Sequence, residues 1–326
     1  MKTVLVVGGA GFIGSHVNKM LHQAGYKTLV LDNLSTGSQQ AVLYGNFIKG
    51  DLADGDLLEQ IFKKNSIDAV MHFAAHIDVG ESIINPLKYY QNNVCNTLNL
   101  LKIILKFGPM PFIFSSSAAV YGIPEIPQLD ESHPTHPINP YGETKLMVEK
   151  MLQGLGSAHP FKFCSLRYFN AAGGDPEEKL KNYKLKESNL IPLALRTLLN
   201  SEESLTINGL DYATPDGTCI RDYIHIWDLG AAHILAMEAL FNGKESSIYN
   251  LGNGQGFSVK EVIKAIESVT KKKLKVKEGP RRPGDPPFLV AVADKAVKEL
   301  KWKPQYPQLE TMIQHAWAAM KDNKSF

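Results

Sequence analysis

The stretch GGAGFIGS at residues 8–15 constrains this chain more than any other, because its flanks decide whether the glycines can cradle a ligand. Residues 4–7 form a short apolar run of β-branched character, and Phe12, Ile13, Val17, Met20 and Leu21 then recur at helical spacing as far as Gly25. The pattern predicts strand, turn, helix. In such a turn Gly8 takes the tight bend, Gly11 lets the backbone approach a diphosphate, and Gly14 lets the helix lie close to the strand. The helix N-terminus adds free N–H groups and the positive end of its dipole. A glycine triplet alone also closes βα turns that hold nothing. The next segment, LVLDNLSTG, favours a ligand: it is a second strand ending in Asp32, about where the acid that binds an adenosine ribose diol is expected. No Arg follows at once to receive a 2′-phosphate, so the cofactor expected here is NAD rather than NADP.

Downstream the pattern repeats. NFIKGD reads as a strand ending at Asp51 and LLEQIFKK as a helix; DAVMHFAA is a buried strand, followed by a long helical stretch from about Asn85 to Phe107. PFIFSSS, YGETKLMVEKML and FKFCSLRYF continue as strand, helix and strand. Strands alternating with helices mean parallel βαβ units with right-handed crossovers, hence an α/β, doubly wound (Rossmann) parallel sheet. Beyond Asn170 the alternation is lost. Residues 171–225 read as loop-rich, with AAGGDPEEKLKNYKLKES as an excursion, before YIHIWDLGAAHILAMEALF and SIYNLG restore strand and helix. The expected organisation is an NAD-binding domain of residues 1–170 plus about 226–252. Residues of about 171–225 plus 253–326 would form a smaller, discontinuous C-terminal lobe over the strand ends, where ligands of such sheets bind.

Bulk properties exclude several classes. A net charge of +2 in 326 residues gives no general attraction to nucleic acid or anionic lipid, and no apolar run approaches a membrane span. The opening MKTVLVV is too short for a signal-peptide core. The three cysteines, Cys95, Cys164 and Cys219, show no CxxC spacing, so no metal site or disulfide framework is expected and a reducing cytoplasm fits.

The chemistry-bearing constellation is YGETK. Tyr141 and Lys145 are four apart, so on a helix they share a face. A tyrosine with pKa near ~10 is a poor base at neutral pH, and lowering it to about 7 takes roughly 4 kcal/mol of preference for the phenolate. A cation about 4 Å away at an effective dielectric near 20 supplies about that much. Lys145 is therefore expected to activate Tyr141, and Ser117, at the end of the strand before it, to hydrogen-bond the substrate oxygen.

The glycine turn, the Ser…Tyr-x-x-x-Lys set, HFAA, NNV, RYFN, DGTCIRDYIH, YNLG and RRPGD occur in an order that resembles the extended short-chain dehydrogenases, the family of NAD-dependent epimerases and dehydratases. The resemblance runs from residue 2 to about 302. It implies a cytoplasmic homodimer, tightly held NAD and a UDP-hexose substrate. Carried over position by position, Gly8, Gly11, Phe12, Ile13, Gly14, Asp32, Asn33, Leu34, Ser35, Asp51, Leu52, Phe73 and Asn92 would contact NAD, together with Ser117, Tyr141 and Lys145. Asn170, Asn189, Leu190, Arg221, Arg282, Asp285 and Leu289 would hold the UDP-sugar with Ser117 and Tyr141. Three residues depart from the enteric bacterial form: Ile77 for a lysine near the cofactor, Ala119 for a threonine, and Asn208 for a phenylalanine in the nucleotide pocket.

The implied reaction is reversible 4-epimerisation of UDP-glucose and UDP-galactose through a 4-keto sugar. A 4,6-dehydratase would need acidic groups beside the tyrosine, where Ala118 and Ala119 follow Ser117. Preference for UDP-N-acetylglucosamine or a UDP-uronate stays open, as does, from a different class, a non-catalytic NAD-binding protein. In the resemblance, position 289 is a gate beside the sugar's 2-position, where tyrosine restricts some members to UDP-glucose and UDP-galactose. Leu289 would widen it; alternatively Leu289 alternates with Ala291 and Ala293 on the buried face of a short strand.

Overall fold

Val4 and Val6 alternate with Leu5 and Val7, and all are buried, as expected for a parallel strand covered on both faces. In the computed structural model, which describes residues 1–181, 189–200, 203–282 and 285–321, this strand lies at the middle of a sheet. The strands are β1 (Thr3–Val7), β2 (Lys27–Asp32), β3 (Asn46–Lys49), β4 (Ala69–His72), β5 (Phe112–Ser117), β6 (Gln128–Leu129), β7 (Phe163–Tyr168), β8 (Asn170–Ala172), β9 (Leu205–Asn208), β10 (Ile220–His225), β11 (Ser247–Leu251), β12 (Gly256–Ser258), β13 (Val276–Gly279) and β14 (Phe288–Ala291). The large sheet is seven-stranded and parallel, in the order β11-β7-β5-β4-β1-β2-β3. The order reverses between β1 and β4, the switch point at which such sheets open a crevice.

Helices cover both faces. Among the described residues the α-helices are α1 (Phe12–Gln23), α2 (Gly55–Lys64), α3 (Val79–Ile84), α4 (Pro86–Tyr89), α5 (Asn96–Phe107), α6 (Pro140–Ala158), α7 (Leu190–Leu199), α8 (Ile226–Phe241), α9 (Val259–Thr270), α10 (Asp294–Leu300) and α11 (Leu309–Met320). Val4 and Val6 pack with Val17 and Leu21 of α1 and Leu229, Ala232 and Ala236 of α8. Leu5 and Val7 pack with Leu58 and Ile61 of α2, Leu100 and Ile104 of α5, and Val148 and Leu152 of α6. Each fully buried Leu or Ile contributes about 1.5–3 kcal/mol, so this two-sided core anchors the strand ends that carry the site.

A second sheet, β12-β10-β14-β6 with β8 beside β10, sits over those ends, and α7, α9 and α11 form their own apolar cluster with Tyr223 of β10. Two segments cross between the parts. The β6 strand pairs with β14, and Ala296, Leu300 and Trp302 join the core of the large sheet.

The long helical stretch expected over 85–107 is present: Pro86, which has no N–H to donate, opens α4 after Asn85, a π-turn over Tyr90–Cys95 interrupts the α-helical pattern, and α5 follows without a break. Two expectations change. The region 171–225 holds α7, whose apolar face is buried by α9 and α11, contacts no local pattern announces; residues 182–188 of the expected excursion lie outside the described residues. The alternation of Leu289, Ala291 and Ala293 stops at Ala291, because β14 ends there and Ala293 precedes α10.

Candidate active site

The glycine turn forms the floor. Gly8 has φ +78°, and its N–H donates to Leu31 O (2.8 Å). Gly11 precedes α1 with no side-chain cap, and a Cβ there would meet only Gly8 O at 3.3 Å, so the approach to the helix N-terminus stays open. At the end of β2, Asp32 accepts the N–H groups of Ala10 (3.0 Å) and Leu34 (2.8 Å). Burial raises its carboxyl and these two bonds oppose the rise. Asn33 Nδ2 donates to Asp51 Oδ2 (2.6 Å), and Ser35 N–H to Asn33 Oδ1 (2.9 Å), linking the ends of β2 and β3. Leu52 is buried, and Phe73, just past β4, packs its ring at a 40° tilt against His233, with centroids 4.9 Å apart. An open glycine cradle, an acid hydrogen-bonded to the turn and an aromatic ring nearby fit an adenine dinucleotide. Asn92 is half-buried and donates to Asn93 Oδ1 (2.9 Å). Ile77 is 46% exposed.

The side chains of Ser117, Tyr141 and Lys145 converge at the end of β5. Ser117 closes the strand, and its Oγ accepts Ala119 N–H (3.1 Å) as the turn 118–121 begins. Tyr141 and Lys145 stand in the first two turns of α6, whose start is fixed by Pro140 and by the Asn139 side chain accepting Gly142 N–H (2.9 Å). Lys145 is buried, donates from Nζ to Ser115 O (2.7 Å), and lies 5.9 Å from the centre of the Tyr141 ring.

The electrostatics differ from the expectation for this pair. Burial raises the Tyr141 phenol above its ordinary value, and the Ser117 hydroxyl against it pulls the other way. Lys145 is itself pushed down to about 7 by burial, against the attraction of Glu149. Desolvation disfavours both charged forms. A phenolate at Tyr141 would therefore need positive charge beside it, which the Lys145 ammonium could supply.

On the other side, Arg221 of β10 donates from Nη1 to Ile220 O (2.9 Å) and Pro286 O (2.8 Å) and from Nη2 to Asp285 Oδ1 (3.4 Å). Asp285 Oδ2 accepts Arg282 Nε (3.1 Å), so one carboxylate gathers two guanidiniums from distant segments. Arg282 is mostly exposed; Pro283 and Gly284 of its motif lie outside the described residues. Asn170 donates to Asp222 O (3.1 Å), and Asn189, exposed, precedes Leu190 at the start of α7. Leu289 pairs with Arg221 across β10 and β14 and packs on the cluster of Ala118, Tyr121, Leu146 and Phe169, which flanks Ser117. Ala119 is half-buried, and Asn208 ends β9 beside Gly279.

Residues outside the expected set complete the frame. Asn93, buried within the π-turn, accepts His76 N–H (2.9 Å) and donates to His76 O (3.0 Å) and Thr144 Oγ1 (3.1 Å), tying the loop after β4 to α6. The NNV motif was its only trace in the sequence. Glu149, Arg167, Tyr121 and Asn250 form a buried polar network behind Lys145.

A model of the NAD dependent epimerase/dehydratase family matches residues 4–252. The chain is 48% identical over 314 residues to a UDP-glucose 4-epimerase of Halalkalibacterium halodurans, covering 96% of this chain and 94% of that protein. Among solved structures, a UDP-glucose 4-epimerase from Brucella ovis in complex with NAD is 44% identical with TM-score 0.94, covering 97% of this chain and 98% of that one. The UDP-Glc/GlcNAc 4-epimerase of Campylobacter jejuni is 43% identical with TM-score 0.85, covering 98% and 99%.

Proposed function

Because the chain belongs to the NAD dependent epimerase/dehydratase family and 4-epimerises UDP-glucose, we propose that Tyr141 is its acid–base group, with Lys145 and Ser117 acting beside it. Bound NAD supplies hydride uptake and return at carbon 4 of the sugar. Tyr141 takes the proton of the 4-hydroxyl as that carbon reaches the keto level and returns it on reduction. Ser117 donates a hydrogen bond to the same oxygen. Arg221 and Arg282 grip the diphosphate through paired hydrogen bonds, exchanging Asp285 for phosphate oxygens. The hexose, anchored through its diphosphate, with the half-buried Asn170 and exposed Asn189 near it, is free to present its other face to the nicotinamide between the two half-reactions.

The observation that carries this reading is the convergence of Ser117, Tyr141 and Lys145 at the end of β5. Incubation of the purified protein with UDP-glucose, followed by proton NMR, is expected to give UDP-galactose without added cofactor, and the protein is expected to purify with NAD. A cofactor-free preparation that consumes NAD stoichiometrically points instead to a dehydrogenase. The names of the relatives speak against a preference for a uronate and against a non-catalytic protein.

The substrate range extends, in our reading, to the N-acetylamino sugars. Leu289 lies in register with Arg221 and against the residues beside Ser117, between the diphosphate grip and the base. Apolar pockets discriminate by only about 1–3 kcal/mol per methylene, so loss of a ring broadens the range rather than inverting it. Wild type is expected to convert UDP-N-acetylglucosamine as well as UDP-glucose, and Leu289→Tyr to slow the former selectively. No conversion by wild type, or equal slowing of both, removes Leu289 as the gate.

We divide the chain into lobes of 1–170 plus about 226–252, and about 171–225 plus 253–326, with β6 and the segment of Ala296, Leu300 and Trp302 crossing between them. A homodimer is supported by apolar side chains on α3 and α4 facing solvent, with Ile84 86% and Leu87 77% exposed. Among the described residues no helix is long and apolar enough to cross a membrane. Free thiols at Cys95, Cys164 and Cys219 accord with a reducing cytoplasm.

A further inference from the structure

We propose that Glu149, backed by Arg167, is a positioning residue for this reaction, holding the Ser117-bearing strand end against α6, the helix that carries Tyr141 and Lys145. The inference rests on the reading of Tyr141 as base.

Tyr141, Lys145 and Glu149 follow at four-residue spacing along α6, so they share a face. Glu149 is buried, and its carboxylate accepts three bonds: Ser116 Oγ (2.5 Å) and Arg167 Nε (2.9 Å) at Oε1, and Arg167 Nη2 (2.6 Å) at Oε2. Ser116 immediately precedes Ser117. Arg167, paired with Ser116 across β5 and β7, also donates from Nη1 to Tyr121 OH (3.1 Å), and Tyr121 ends the turn that Ser117 begins. One carboxylate thus ties the strand and turn flanking the catalytic hydroxyl to the helix carrying the base. A buried ion pair of this kind gains little net stability over apolar packing, which leaves its geometry as what it contributes.

The titratable groups around Lys145 are Tyr141 and Glu149 on its own helix, His72 on β4, and Tyr168 with Arg167 on β7. Burial holds His72 down at about 3, so it is neutral, and Tyr168 well above its ordinary value, so it is neutral too. Among these, Glu149 is the anion that favours the Lys145 ammonium.

The sign follows. Loss of the carboxylate lowers the lysine's pKa, so the ammonium is lost at lower pH and the alkaline limb of the rate profile moves down by about one pH unit. The test compares wild type, Glu149→Gln and the double variant Glu149→Gln/Arg167→Met, which leaves no orphan charge. Turnover of UDP-glucose is followed across pH, and the Lys145 resonance is titrated by NMR in chains labelled at lysine carbons. Both variants are expected to fold and to keep KM within about twofold, because neither residue is among those proposed to bind substrate; Glu149→Gln is expected to show the limb and the lysine titration displaced together, and the double variant, which also removes the Arg167 cation, a smaller displacement. At pH 8 turnover is expected to fall roughly tenfold. A folded Glu149→Gln protein whose limb and lysine titration match wild type overturns the proposal. Failure of both variants to fold overturns it as well, since Glu149 is then a structural support. Tyr141→Phe separates this from the underlying reading: a fully active phenylalanine variant removes Tyr141 as base, while the lysine titration reports on Glu149 independently.

Discussion

Tyr141→Phe is expected to lose at least about 10²-fold in turnover of UDP-glucose, the usual loss for a removed acid–base group, while still binding the nucleotide. Only the hydroxyl is deleted. The helix start depends on Pro140 and the Asn139 cap rather than on the phenol, so the ring stays where it is. Steady-state kcat and calorimetric titration with UDP check the two halves of this statement. A variant retaining more than about a tenth of the wild-type rate would show that the base is misassigned.

Gly14→Ala is expected to abolish NAD retention. A Cβ at this position would stand 2.3 Å from the Gly8 carbonyl oxygen and 2.7 Å from Gly9 Cα, both backbone atoms of the turn that would face the diphosphate. The helix must withdraw from the turn, pulling Val17 and Leu21 against a packed core at a cost of about 1–3 kcal/mol. The bound cofactor's own contribution to stability goes with it. Absorbance and mass spectrometry of the purified variant measure NAD content, and thermal melting the stability. Gly55→Ala is the control: nothing lies within 4 Å of a Cβ there, so NAD content and melting should be unchanged. A Gly14→Ala protein that retains stoichiometric NAD means the turn does not hold the diphosphate.

The parallel sheet, the glycine turn, Asp32 and the Tyr141/Lys145 pair were all readable from the chain, because each depends on spacing within a few residues of itself. Alternating apolar residues mark a strand whatever it later packs against, and four-residue spacing puts two side chains on one helical face wherever that helix docks. The resemblance added positions that spacing does not reach, such as Arg221 and Asp285. Less legible was α7, since Leu190–Leu199 is set within polar loop sequence and its apolar face finds partners some 70–120 residues away in α9 and α11.

Other features existed only once the chain was folded. The meeting of Arg221 and Arg282 on Asp285, the tie from Asn93 to Thr144, and the convergence of Ser116, Arg167 and Glu149 join segments that no local pattern relates. Even the sign of the Tyr141 shift lay beyond the sequence. Spacing places a cation near a phenol, but whether the phenol gains or loses acidity depends on the water that packing removes from both groups, and here burial outweighs what the protein's own groups offer. Local spacing decides which side chains can act together; desolvation, set by tertiary packing, decides the charge each of them carries.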